Sequence, residues 1–92
     1  KYEGIPTLIV EVLSPSTKGK DMTAKLNLYM KSGVLEYWIV DLDDRQILQY
    51  AFSQDREPES VKTVRTGETI QSFVFKDLEI PLDDIFRGLA GK

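Results

Sequence analysis

The sequence predicts one α/β domain of the α+β kind over residues 1–92, in which a mixed β-sheet contains a βαβ crossover. Two apolar runs, Leu8–Leu13 and residues 34–41, have the length and the β-branched or aromatic content of strands. Between them, residues 21–31 carry apolar side chains at helical spacing. A strand, a helix and a strand joined by short loops predict two parallel strands linked by a right-handed crossover.

Composition limits the chemistry that this domain supports. Its 92 residues include no Cys and no His, which excludes disulfides, thiolate catalysis, Cys-ligated zinc and a Ser-His nucleophile. Acidic, basic and hydroxyl side chains remain, and Mg²⁺ is the kind of cation that their oxygens bind. The net charge of −3 counts against a simple module that holds DNA through a basic surface.

The ends of the sequence and its apolar runs bear on location. No run reaches the length of a membrane span, and no charged start followed by an apolar segment resembles a signal peptide. We therefore expect a cytoplasmic protein with no membrane partner. Because the chain lacks an initiator Met and opens just ahead of an apolar strand, we also expect it to be a fragment of a longer protein.

The first apolar run carries one acid in its middle. Five of the six residues in Leu8–Leu13 are apolar, and Pro6 and Pro15 bound the run, which predicts a strand covered on both faces. Glu11 interrupts this pattern. A buried carboxylate is costly unless it is paired, protonated or bound to a metal, so Glu11 is the first candidate for a functional residue.

The expected helix places a lysine on its apolar side. One face carries three side chains at offsets of three and four, namely Met22, Leu26 and Tyr29. Lys25 lies between them, and Asp21 stands one turn earlier, where the two can pair. Gly33 follows as a stop signal.

Alternation along the first strand puts Thr7, Ile9, Glu11 and Leu13 on one face. If the helix packs on that face, Lys25 reaches the Glu11 carboxylate, and the acid and the lysine share one site. The alternative is structural: an ion pair that only stabilises the fold, or a lysine with a packed stem and a solvated ammonium. The residues alone leave both interpretations open.

The loop at residues 14–19 follows the carboxyl end of a parallel strand, where open α/β sheets usually bind ligands. Lys18 and Lys20 add positive charge, and the coming helix offers free N–H groups to an anion. We expect Ser16, Thr17, Lys18 and Lys20 to contact phosphate. The alternative is a capped loop with solvated lysines.

The rest of the chain predicts strands at residues 46–52, 61–65 and 69–75, an exposed loop at 53–60, a helical turn at 81–86 and a frayed tail at 88–92. We assign Tyr37 and Trp38 to the core rather than to a base-stacking platform. The acid pairs at 43–44 and 83–84 are typical of turns rather than of metal sites.

Three parts of the sequence together are similar to the Uma-type restriction endonuclease family, a large bacterial family. They are the run GIPTLIVEVLSPST at residues 4–17, the trio Asp21, Lys25 and Tyr29, and the run GVLEYWIVD at residues 33–41. The resemblance is strong over residues 4–52 and weak beyond them. It implies the PD-(D/E)XK nuclease superfamily and its restriction-endonuclease-like core, a mixed sheet flanked by helices.

In such sites an Asp and a Glu from neighbouring strands bind Mg²⁺ while a Lys orients water or stabilises charge. The resemblance makes Glu11 the metal-binding, catalytic acid. The lysine usual two positions later is Leu13 here, and Lys25 resembles a catalytic lysine that has moved into the helix. Tyr29 and Asp21 are then supporting residues.

The family commonly has Asp where this chain has Thr7. Four residues along a strand separate Thr7 from Glu11 by roughly 13 Å, whereas ligands of one Mg²⁺ lie within about 2.1 Å of it. We therefore expect the second ligand on an adjacent strand outside this chain, so that residues 1–92 form the C-terminal portion of the nuclease-like fold and its N-terminal part is missing.

The resemblance implies an endodeoxyribonuclease that hydrolyses DNA with Mg²⁺ or Mn²⁺, incomplete in this fragment, with a homodimer as a further expectation. Two alternatives stay open. One is a non-catalytic nuclease-like scaffold that serves binding or dimerisation. The other is a plain α+β fragment in which Glu11 and Lys25 pair for stability alone.

Overall fold

The computed structural model describes residues 4, 6–13, 20–52 and 58–90. Its elements in chain order are β1 (Leu8–Leu13), α1 (Lys20–Ser32), β2 (Glu36–Asp41), β3 (Gln46–Phe52), β4 (Pro58–Arg65), β5 (Thr69–Gln71), β6 (Glu79–Pro81) and α2 (Leu82–Ala90). Over these ranges the strands form a four-stranded sheet in the order β1-β2-β3-β4 and a separate β5-β6 hairpin.

The predicted βαβ unit is present. β1 and β2 pair in parallel, with Leu8 opposite Glu36 and Leu13 opposite Asp41, and α1 connects them. Gly33 ends the helix with a φ of 97°, a left-handed conformation that costs glycine little. β3 and β4 continue the sheet in antiparallel fashion. The prediction of a mixed α+β sheet is therefore confirmed.

The face of the sheet toward α1 holds one apolar cluster. Tyr37, Ile39 and Phe52 are its buried members, and the partly buried side chains around them are Ile9, Leu13, Leu26, Tyr29, Met30, Leu48 and Tyr50. α1 therefore packs on the face of β1 that carries Glu11, which is the condition under which the sequence places Lys25 within reach of that carboxylate.

The opposite face is covered by α2 and by the β5-β6 hairpin. Its buried members are Trp38, Val40, Ile47, Val64, Ile70, Leu82 and Phe86. From β1 only Leu8 packs there, whereas Val10 and Val12 are 49% and 48% exposed. The prediction that β1 is covered on both faces was wrong, because the second layer packs on β2 and β3 and β1 is the outer strand of the described sheet.

The second half of the chain brings three further corrections. Residues 58–60 begin β4 instead of extending a loop, since an outer strand tolerates Pro58. Residues 72–75 leave the strand after β5, because the Val74 and Phe75 N–H groups bond the Ser72 hydroxyl. α2 continues to Ala90, beyond the predicted turn at 81–86, with Leu82 and Phe86 buried.

The predicted core and turn residues lie where expected. Tyr37 and Trp38 are buried, Asp43 and Asp44 lie in the turn before β3, and Asp83 and Asp84 lie in the first turn of α2. Across the described ranges, no helix has the length and apolar character needed to span a membrane.

Candidate functional site

Glu11 lies in the middle of β1 and faces α1. Its Oε1 atom accepts a hydrogen bond from Lys25 Nζ at 2.7 Å, and its Oε2 atom accepts one from the Tyr29 hydroxyl. Lys25 and Tyr29 are one turn apart on α1, so the helix presents both donors on the same side. The contact predicted between Glu11 and Lys25 is present, while its catalytic role stays a prediction.

The side chains of Glu11, Lys25 and Tyr29 are all partly exposed. The Lys25 and Glu11 side chains are 42% and 24% exposed. Burial raises the pKa of Glu11, but the hydrogen bonds from Lys25 and Tyr29 and the lysine charge outweigh it, so the pKa lies below its ordinary value. The hydrogen bond that the Tyr29 hydroxyl donates to Glu11 raises the pKa of Tyr29, and burial raises it further. Glu11 is therefore ionised at neutral pH.

A row of aromatic rings supports Tyr29. Its ring meets Tyr37 edge to face at 4.9 Å, and Tyr37 stacks on Tyr50 at 6.3 Å. Burial and then the Glu11 charge raise the pKa of Tyr37, which keeps its phenol neutral. The Tyr37 ring thus packs against the side chain that donates to Glu11.

The other predicted site residues are only partly described. Lys20 and Asp21 lie in the first turn of α1, but their side chains fall outside the described structure, as do Ser16, Thr17 and Lys18 altogether. The predicted phosphate contacts and the predicted Asp21–Lys25 pair therefore stay predictions.

The described residues do not make a complete metal site. They contain no group of three or more His, Cys, Asp or Glu side chains that could hold an ion. Glu11 is a single carboxylate, and both of its oxygens accept hydrogen bonds, whereas Mg²⁺ takes near-octahedral oxygen ligands. An ion at Glu11 would need further ligands from elsewhere.

Sequence reasoning missed a second acid, Glu36 on β2. It is 0% exposed and accepts hydrogen bonds from Trp38, Gln49 and Ser72 and from two backbone N–H groups. A signal was available, because period two along β2 puts Glu36 on the same face as Trp38 and Val40, in an otherwise apolar run.

The described chain is thus an α+β domain in which the βαβ unit of a mixed sheet brings an acid of the outer strand into contact with a lysine of the crossover helix. The chain belongs to the Uma2 family, described as "Putative restriction endonuclease", whose profile matches residues 1–83. The resemblance drawn from the sequence is therefore confirmed.

A solved structure shares this fold. It is described as a putative nuclease belonging to DUF820 from Anabaena variabilis ATCC 29413, with a TM-score of 0.72 and 19% sequence identity. The match covers 90% of this chain and 45% of that one, so this chain spans less than half the length of that protein. No curated protein matches the chain.

Proposed function

We propose that this chain is part of an endonuclease that hydrolyses DNA phosphodiester bonds with Mg²⁺ or Mn²⁺. The observation that carries the proposal is the Glu11 carboxylate on β1, hydrogen-bonded by Lys25 and Tyr29 of the crossover helix, in a chain of the Uma2 family. A bound divalent ion would supply Lewis-acid activation of water and neutralise charge on the phosphate.

Glu11, Lys25 and Tyr29 have different roles in this proposal. Glu11 contributes a carboxylate to the ion. Lys25 stabilises negative charge on the phosphate or orients the attacking water, and its side chain is 42% exposed. Tyr29 helps to position the Glu11 carboxylate and Lys25, because its hydroxyl donates to Glu11 and its ring packs against Tyr37.

The second metal ligand is proposed on a strand beside β1, from sequence outside this chain. Within the described sheet β1 pairs on one side only, with β2, which leaves its outer edge open to such a strand. Ser16, Thr17, Lys18 and Lys20 are proposed to contact phosphate near the carboxyl end of β1. A homodimer of the full-length protein remains part of the proposal.

The test uses the full-length protein and supercoiled plasmid DNA with Mg²⁺ or Mn²⁺. We expect Glu11→Gln and Lys25→Met each to lower the cleavage rate by about 10²-fold or more, and Glu11→Gln also to weaken Mn²⁺ binding. Glu79→Gln, which alters an exposed acid on β6, is the matched control and should cleave normally. Absence of cleavage by the full-length protein, or normal cleavage by both site variants, would overturn the proposal.

A non-catalytic scaffold is the second candidate. The observation that favours it is that Lys25 and Tyr29 already occupy both oxygens of the one carboxylate. In this case the full-length protein should bind neither Mg²⁺ nor Mn²⁺ at Glu11. Calorimetric titration of Mn²⁺ into wild type and into Glu11→Gln separates the two functions, because only a nuclease should lose ion binding in the variant.

A further inference from the structure

Glu36 is a buried ionisable group that the proposed cleavage does not use. It lies at the start of β2, on the face of the sheet away from α1, and is 0% exposed. From the sheet itself, Trp38 Nε1 donates to its Oε2 atom at 2.7 Å and Gln49 Nε2 donates to the same atom at 2.9 Å.

The remaining donors come from the segment 72–75, which follows β5. The Ser72 hydroxyl donates to Glu36 Oε1 at 2.6 Å, the Phe73 N–H group to both oxygens at 3.1 Å, and the Val74 N–H group to Oε1 at 3.2 Å. Gln49 also donates to the Gln71 carbonyl at 2.7 Å. One carboxylate therefore ties three consecutive residues of this segment to the sheet.

Apolar packing explains only part of the position of this segment. Phe73, Val74 and Phe75 are 39%, 37% and 46% exposed. The donors to Glu36 found in the described structure are all neutral. A buried carboxylate that is solvated by neutral donors is stable in its charged form only through those hydrogen bonds, and three of the donating groups belong to this segment.

Other titratable groups lie near the segment but do not share its bonding. Lys76 and Asp77 follow it and Glu79 lies on β6, and all three are exposed. The ionisable side chains of β1 and β3 and the others of β2 belong to the α1 face of the sheet by alternation, namely Glu11, Tyr37, Asp41 and Tyr50. On β4, Lys62 lies opposite Gln49 on the Glu36 face of the sheet and is exposed. In the described residues, none of these side chains bonds to the Glu36 carboxylate.

We propose that Glu36 is a charge-dependent latch: its ionised carboxylate holds residues 72–75 against the sheet, and this segment opens as a local unit when the charge is removed. Burial raises the pKa of Glu36, but the hydrogen bonds from Ser72, Gln49, Trp38 and Phe73 outweigh it, so the pKa lies below its ordinary value of 4.5. The latch is closed at neutral pH and opens as the pH falls through the pKa of the folded state.

Hydrogen exchange of the Phe73 and Val74 amides tests this in the full-length protein. At pH 7, Glu36→Gln should speed their exchange about tenfold or more, because the side-chain NH₂ group of Gln would face the donors that now bond a carboxylate oxygen. The backbone amides of the β2-β3 ladder should keep their protection. In wild type the same two amides should lose protection on acidification, after correction for intrinsic rates. Unchanged protection in Glu36→Gln, or loss only together with the β2-β3 amides, would overturn the latch.

Two further variants keep the test decisive. Ser72→Ala removes one donor to the charged form and leaves the charge, so the acid midpoint of opening should move to higher pH. The ¹H–¹⁵N signal of the Trp38 indole, the sole indole of this chain, reports the same midpoint. Glu11→Gln is the matched control on the other face and should leave the midpoint unchanged. An unmoved midpoint in Ser72→Ala, or a moved one in Glu11→Gln, would contradict the proposal.

Discussion

Two acids interrupt neighbouring apolar strands of this sheet, and the structure accommodates them in opposite ways. Glu11 on β1 faces α1, keeps 24% of its side chain exposed and accepts from a cation, Lys25. Glu36 on β2 faces the other layer, is 0% exposed and accepts from neutral groups of β2, β3 and the segment 72–75. One sequence signal, an acid in an apolar run, therefore has two structural outcomes.

The kind of partner explains what each acid can do. A half-exposed ion pair sits where water screens it, so its partner can be exchanged for another charged group at small cost. A fully buried carboxylate that gathers donors from three segments is part of the architecture, because removing it leaves those donors without an acceptor. These surroundings agree with the reactive role proposed for Glu11, and they give Glu36 a structural role.

The largest effect expected from the difference between the two acids is on stability when the buried one is truncated. Glu36→Ala should lower the free energy of unfolding by about 3 kcal/mol or more, since it strands the Trp38 and Gln49 donors inside the protein. Urea unfolding at pH 7 measures the change. Glu79→Ala, at an exposed position on β6, is the matched control and should stay within about 0.5 kcal/mol of wild type. A loss below about 1 kcal/mol for Glu36→Ala would remove the distinction drawn between the two acids.

Local sequence pattern predicts the strands and the helix in the first half of the chain. In the second half it fails where a contact between distant residues decides the backbone conformation. β1 and β3 begin and end where alternation and apolar content predicted. Residues 72–75 include three apolar residues typical of strands, yet they leave the strand, because the Ser72 hydroxyl and the Phe73 and Val74 N–H groups bond an acid 36 to 38 positions earlier in the chain. A long-range acceptor of this kind is invisible in a local window.

The contact between Glu11 and Lys25 was predicted on one condition, that α1 packs on the Glu11 face of β1. Periodicity puts Lys25 and Tyr29 on one side of α1 and Glu11 on one face of β1, and the short βαβ unit contains all three, so the contact forms once that condition is met. The exposure of Val10 and Val12 could not be predicted in this way, because it depends on where α2 and the β5-β6 hairpin pack.

A smaller effect is expected at the tyrosine of the half-exposed site. Tyr29→Phe removes a hydrogen bond to a carboxylate while keeping the ring against Tyr37, and it should cost about 1 kcal/mol. The folded-state pKa of Tyr29 is raised above its ordinary value of 10.0. Its contribution is therefore complete below that value and is lost as the pH rises through the folded-state pKa.

The measurement for Tyr29 is the difference in unfolding free energy between wild type and Tyr29→Phe, followed from pH 7 into the alkaline range. The difference should shrink as the pH rises. Tyr50→Phe removes a hydroxyl from the same aromatic row and is the matched control, because no hydrogen bond joins that hydroxyl to Glu11 in the described structure. A difference that stays constant with pH would show that the Tyr29 hydroxyl does not act through Glu11.

The smallest effect on stability should come from the lysine. Lys25→Met keeps the packed stem and removes the cation, and because Lys25 is 42% exposed we expect a loss of about 0.5 kcal/mol at pH 7. The pKa of Glu11 is held below its ordinary value of 4.5, so the contribution of the pair is present above that value and fades as the pH falls through the folded-state pKa. Urea unfolding of wild type and Lys25→Met at pH 7 and at pH 3 should therefore show a smaller difference at the lower pH. A loss at pH 7 as large as that of Glu36→Ala would mean that Glu11 and Lys25 are as structural as Glu36, and it would favour the scaffold over the nuclease.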